Sequence, residues 1–249
     1  LLREIDFNKK IQKPRLQVAK PNRTIIGNLK EAFQISHNTL LGQYNELSFT
    51  VPYDIDKNHE LIRNPNIDKL KDRYFIKLAW GSDTEWYIIN ENSEDMDDDS
   101  DSKIVHAFSL QYELKDKLIR GYEVESYALS QVTTDALQNT LWSIGTISTD
   151  FIGKNRAFNV SEKSVLDFIY EIAETFGAIL RFDTETRQVS FLSENDIGTN
   201  RGFRVSHEKY LKTLNKTSNP DEMVTRLRVY GKEGMSINRV NATGADYIE

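Results

Sequence analysis

The stretch 159–192, NVSEKSVLDFIYEIAETFGAILRFDTETRQVSFL, reads with little ambiguity as a helix followed by two strands. Ser161 can cap a helix N-terminus, because its side-chain oxygen can accept an unpaired backbone N–H. Val165, Phe168, Ile169, Ile172, Ala173 and Phe176 then recur at helical spacing until Gly177, which predicts a helix over 161–176. Asp167, Glu171 and Glu174 fall on the opposite face, so this helix is amphipathic and must lie against a partner. Ala178, Leu180 and Phe182 alternate with Ile179 and Arg181, residues 183–187 supply a polar turn, and Val189 and Phe191 alternate back. That is a hairpin over 178–192 with one apolar face. None of it carries catalytic chemistry.

The length of 249 residues allows one large or a few small domains, each with a core of its own. Lys and Arg number 32 against 38 acids, a formal net charge of −6, which argues against general nucleic-acid binding. The absence of cysteine removes disulfides, thiolate nucleophiles and cysteine-based metal sites, and fits folding in a reducing cytoplasm. No apolar run is long enough for a membrane span, and the charged opening LLREIDFNKK does not read as a signal peptide. The first residue is not Met, so the natural start is expected to lie upstream or to have been trimmed.

Strand patterns dominate the first half. Phe33 with Ile35 makes a short run, and Leu47, Phe49 and Val51 alternate up to Pro52. Residues 53–73 read as a polar excursion with one short helical turn. Ile76, Leu78 and Trp80 then alternate, the GSDTE turn follows, and Trp86 to Ile89 return as a hairpin. Over 104–114 the alternation places Ile104, His106, Phe108, Leu110, Tyr112 and Leu114 on one face. In the second half, Thr133 and Thr134 precede a short capped helix expected over 135–142. Leu227 and Val229 begin a strand, the glycines 231 and 234 turn it, and Ile237 and Val240 continue it.

His37, His59, His106 and His207 are scattered, and none has a second His at metal-ligand spacing. His106, on an apolar alternating face, reads as a hydrogen-bonded core residue. Residues 231–234 read GKEG, without the Lys-Ser/Thr step of a phosphate-binding loop, and no nucleophile-elbow motif occurs. The run 91–101, ENSEDMDDDSD, holds seven acids in eleven residues, and Asp95, Asp97, Asp99 and Asp101 have the alternate spacing of the first half of a calcium loop. Ser100 stands where that loop needs Gly and His106 where it needs Glu, so a solvated loop between two strands outweighs a metal site. Asp95, Asp97 and Asp99 remain the weak metal candidates. No catalytic or cofactor-binding residue emerges, and no cofactor is expected. Among Lys9, Lys10, Lys13, Arg15, Lys20 and Arg23, apolar residues interrupt the basic stretch, so a contact between subunits fits it at least as well as nucleic acid does.

Six phrases carry a resemblance: YNELSFTVPYD from Tyr44, NPNIDKLKDRYFIKL from Asn64, EWYIIN from Glu85, LWSIG from Leu141, ETFGAILRFDTETRQVSFL and MVTRLRVYGKEG from Met223. In this order the chain resembles the N-terminal region of phage tail proteins, namely the minor structural or tail-associated lysin proteins and prophage endopeptidase tail family of Gram-positive phages. That region is similar to the central baseplate hub of contractile-tailed phages. The resemblance implies an α+β, β-rich fold of several small domains, including β-barrel-like domains with a discontinuous first domain. The expected division is a barrel-like region over 1–124, an inserted α+β region over 125–215, and a strand segment over 216–249 that returns to the earlier region.

The resemblance also implies a role. The chain is expected to be a structural component of the tail tip or baseplate hub, to close the tail tube and to link the distal tail protein to the host-facing tip. A homotrimer, a distal tail protein ring and a tape measure protein are the implied partners, with no specific nucleic-acid binding. The virion tail, assembled in the bacterial host cytoplasm, is the implied location. Many relatives carry a cell-wall hydrolase further along, and the sequence ends before such a domain, so no enzyme is expected here. Two alternatives stay open: a tail-associated endopeptidase, and a module binding host-surface carbohydrate through Trp80, Trp86 or Trp142. The tryptophans sit in apolar patterns and read as core.

Overall fold

The computed structural model describes residues 13–97, 100–197, 226–230 and 234–248. Of these, 13–197 form one compact unit and the remainder a second.

The first unit is built on a seven-stranded antiparallel sheet. Its strands are β1 (Arg15–Ala19), β2 (Ile25–Asn28), β3 (Phe33–Asn38), β4 (Glu46–Pro52), β7 (Phe75–Trp80), β8 (Asp83–Asp97) and β9 (Ser100–Ser109), in the order β2-β1-β7-β8-β9-β4-β3. The two edge strands are consecutive in the chain. Laid flat, seven strands spaced about 4.8 Å apart would separate those edges by about 29 Å. Asn28 and Phe33 are five residue steps apart, which reach at most about 18 Å. The sheet must therefore curl into a barrel-like form, and Leu16, Val18, Leu47, Phe49, Val51, Ile76, Leu78, Tyr87, Ile89, Val105 and Ala107 fill it.

The polar excursion is more structured than its composition predicts. Residues 54–63 form a hairpin of β5 (Asp54–Lys57) and β6 (Glu60–Arg63), and the next segment plugs the barrel with Ile67 and Leu70. Asn64 Nδ2 donates to Pro52 O at 3.1 Å and Asn66 Nδ2 to Asn28 O at 2.9 Å, so buried amides hold the plug where apolar residues would leave carbonyls unpaired. Gly27 is required here, because a Cβ on it would lie 2.5 Å from Asn66 Oδ1.

The outer face of β1, β7 and β8 is the wall of a second core. Ala19, Phe75, Trp86 and Ile88 pack with Leu110 and Leu114 of a 3-10 helix (Leu110–Asp116) and with the α+β layer that follows. That layer comprises β10 (Leu118–Ala128), α1 (Leu129–Leu137), β11 (Ser143–Ile147), β12 (Asn155–Ser164), α2 (Val165–Phe176), β13 (Ile179–Asp183) and β14 (Gln188–Leu192). β10 and β12 form a two-stranded ribbon, and β11 lies parallel to β14 beside the β13–β14 hairpin.

Four local expectations change. Helix α2 starts at Val165 and is capped by Ser164, whose Oγ accepts from Asp167 N at 3.1 Å; Ser161 instead lies in β12, whose ladder with β10 runs on to Ser164. Helix α1 starts earlier than expected, at Leu129, and ends before Trp142. Thr133 and Thr134 do not cap it, because each hydroxyl donates to a carbonyl one turn back, Leu129 O and Ser130 O, at 2.7 Å. On β9 the buried face is Val105 and Ala107, while His106 is exposed and so is not a core histidine. Trp86 and Trp142 are buried as expected, whereas Trp80, at the tip of the β7–β8 hairpin, is 46% exposed.

In the second unit β15 (Leu227–Arg228) pairs with β16 (Tyr247–Ile248). Residues 237–239 are a 3-10 turn capped by Ser236, and not the strand their apolar spacing predicts.

Candidate functional site at the domain junction

The turn 183–187, read from sequence as a plain hairpin turn, is the element that docks the α+β layer onto the barrel. Asp183 shapes it: its Oδ1 accepts from Glu185 N at 2.9 Å and Thr186 N at 3.2 Å, and its Oδ2 from Thr186 Oγ1 at 2.7 Å. Burial alone would raise the Asp183 pKa, but these hydrogen bonds prevail and hold the carboxyl below its usual range.

Three barrel side chains meet this turn. Arg23 donates from Nη1 to Glu185 O at 2.6 Å and from Nη2 to Thr184 O at 2.7 Å. Trp86 N donates to Thr184 Oγ1 at 2.9 Å, and the Trp86 indole N–H to Glu185 Oε2 at 3.0 Å. Lys77 completes the set, 3.7 Å from Glu185 Oε1. Arg23 and Lys77 also lie over the Trp86 ring, 5.2 and 5.1 Å from its centroid. Burial, with Arg187 nearby, lowers the Arg23 pKa from its ordinary high value.

Arg187, at the end of the same turn, makes a two-point contact with Glu113, from Nε at 2.7 Å and Nη2 at 3.2 Å. The Trp142 indole N–H donates to the same carboxylate at 2.7 Å. With side-chain exposures of 16% and 19%, this ion pair is shielded from water and salt. The junction is thus polar at its rim and apolar behind it. It can transmit position between the two layers, and it offers no nucleophile or open ligand.

Inside the barrel mouth a separate polar group gathers. His37 Nε2 lies 2.7 Å from Tyr87 Oη and 3.7 Å from Glu85 Oε2, and Asn45 Nδ2 donates to Glu85 Oε1 at 2.8 Å. Burial and the Glu85 charge push the Tyr87 phenol well above its usual pKa, so it stays a neutral hydrogen-bonding group. This group ties the 39–45 loop to β8 and closes the core.

Asp95 and Asp97 lie within β8, in register with Ser102 and Ser100, and Asp99 is outside the described residues. The 91–101 run is therefore the end of a long hairpin and not a loop, because the β8–β9 ladder continues to Asp97 and Ser100. Among the described residues no three metal-ligating side chains converge. His59 sits at the β5–β6 turn with φ 67°, and His207 lies outside the described residues. No described helix is long and apolar enough to cross a membrane.

Comparison with known proteins follows the two layers. Residues 18–107 match the YomG N-terminal domain family and residues 118–191 the prophage endopeptidase tail domain family. The chain is 32% identical over 234 residues to the SPbeta prophage-derived uncharacterized protein YomG of Bacillus subtilis (strain 168); the match covers 94% of this chain and 26% of that protein, about a quarter of its length. The fold is shared with prophage tail protein gp18 of Listeria monocytogenes EGD-e, with a TM-score of 0.56 at 14% identity over 74% of this chain and 52% of the other. It is shared equally with the 43 kDa tail protein of prophage MuSo2 from Shewanella oneidensis, with a TM-score of 0.54 at 13% identity over 73% and 54%. The chain therefore joins a YomG N-terminal domain to a prophage endopeptidase tail domain, in a fold that it shares with prophage tail proteins.

Proposed function

We propose that this chain is a structural part of a phage or prophage tail tip, where it closes the tail tube and links the distal tail protein ring to the host-facing tip. The observation that supports this reading most is the junction itself. A barrel and an α+β layer share one core and are clamped at one turn, which suits a part that must hold its shape while neighbours pack around it. In this reading three copies surround the tail axis, identical surfaces meet by rotation, and the tape measure protein ends above them. The discontinuous first domain, with 216–249 returning to a barrel interrupted by 125–215, belongs to the same proposal, as do the virion tail location and assembly in the host cytoplasm.

The word endopeptidase in the family's description names a family and assigns no residue in this chain. We read the chain as non-catalytic. Zymography on Gram-positive cell walls tests this directly, since the expected result is no clearing and a lytic band from the 249-residue chain would overturn it. Antibody labelling of purified tails tests the placement: label at the tip supports it, and label along the tube or absent from virions contradicts it.

A further inference from the structure

The outer face of the barrel sheet is only half covered. Where β1, β7 and the start of β8 meet the second core it is closed, but across β3, β4, β9 and the middle of β8 it is open. One row of side-chain positions crosses this open half, with Ser36 beside Ser48, Ser48 beside His106 and His106 beside Glu91. The adjacent row carries Asn38, Glu46 and Phe108. Together they line a groove of about 360 Å³. Among the described residues, none of these six polar side chains has a hydrogen-bond or ion-pair partner. At the end of the groove Phe108 is braced by Tyr112 and Tyr44, with ring centroids 4.7 and 5.1 Å away.

The chemistry of these rows selects a ligand class. Across β4, β9 and the adjoining part of β8 the strands are paired on both sides, so over that part of the groove side chains, not free backbone groups, must read a ligand. Two hydroxyls, an amide, an imidazole and two carboxylates offer donors and acceptors together, which suits a molecule presenting both. Glu46 and Glu91, with no cation lining the groove, repel a polyanion. Neighbouring strands place one hydrogen-bonding group about every 4.8 Å, a step close to that of successive pyranose rings. The braced Phe108 ring offers an apolar face for a sugar C–H surface.

We propose that this groove binds a neutral, linear oligosaccharide lying across β3, β4, β9 and β8, with hydroxyls read by Ser36, Ser48, His106 and Glu91 and one ring against Phe108. The proposal goes beyond the assembly role and does not depend on it.

The test is amide-resolved NMR titration of the 249-residue chain with maltotetraose, cellotetraose and chitotetraose, and with poly(glycerol phosphate) as the anionic probe. At least one neutral tetrasaccharide is expected to shift the amides of Ser36, Ser48, Glu91 and His106 in a saturable way. His106→Ala and Ser48→Val are each expected to weaken that binding by roughly tenfold at unchanged melting temperature, while Trp80→Ala, at an exposed aromatic elsewhere, leaves it unaltered. The proposal is overturned if no neutral tetrasaccharide shifts those amides, if only the anionic polymer does, or if both groove variants bind like the parent.

Discussion

Arg23 reaches across 161 positions of sequence to the Thr184 carbonyl, 2.7 Å from its Nη2, and so joins the barrel to the turn of a hairpin in the other layer. Its second contact, Nη1 to Glu185 O, holds the guanidinium on two consecutive carbonyls of the turn. Lysine keeps the charge but cannot span both carbonyls. Arg23→Lys is therefore expected to lose about 1.5 to 3 kcal/mol in urea unfolding, the range for a hydrogen bond to a charged group. Hydrogen exchange should accelerate at 183–187 and stay unchanged in α2; equal acceleration in both would show that the clamp is not local.

The Glu113–Arg187 and Arg63–Asp68 pairs have similar chemistry and opposite settings. The first is shielded, with exposures of 16% and 19%, and the second is open, at 63% and 78%. Among the described residues, Arg187→Ala leaves Glu113 the Trp142 indole as its remaining partner, at a cost of about 1 to 3 kcal/mol. Arg63→Ala should cost no more than about 0.5 kcal/mol, because an open pair is screened and entropically loose. Double-mutant cycles on both pairs check this, and equal couplings would contradict it.

Two serines compete on paper for the start of α2, and Ser164 takes the position. Ser164→Ala is expected to destabilise by about 1 kcal/mol through the lost cap, while Ser161→Ala, on an exposed strand position, should fall within about 0.5 kcal/mol of the parent. Thermal unfolding of the two variants separates them, and the reverse order would place the cap at Ser161.

The depressed Asp183 pKa makes the turn acid-sensitive. A carboxyl with a lower pKa in the folded state contributes its stability in full above the unfolded carboxylate pKa and loses it as pH falls through the folded value. Stability should thus decline on the acid side of the usual carboxylate range, and Asp183→Asn should flatten part of that decline. A parallel decline in parent and variant, followed by chemical denaturation against pH, would show that the turn carboxylate is not involved.

The apolar face of α2 is legible because burial imposes the helical period on Val165, Phe168, Ile169, Ile172, Ala173 and Phe176, all buried as the spacing requires. The helix start is not, because Ser161 and Ser164 are both good caps and only the β10–β12 ladder, a contact distant in sequence, decides between them. The inner face of β9 is hidden for a related reason: larger residues at 104, 106 and 108 outshine Val105 and Ala107, which the closed barrel selects for their fit. The junction at 183–187 leaves no mark in composition, since Asp, Thr, Glu and Arg serve a solvated turn as well as a docked one. A lone Arg23 with φ 65°, 161 positions away, becomes its partner only once the barrel is folded.

Electron cryomicroscopy of the intact tail tip tests the structural role most directly. The barrel and its docked α+β layer should appear three times around the tail axis below the distal tail protein ring, each junction intact as Arg23 and residues 183–187 place it. A single copy on the periphery, or a virion without this density, would contradict the account.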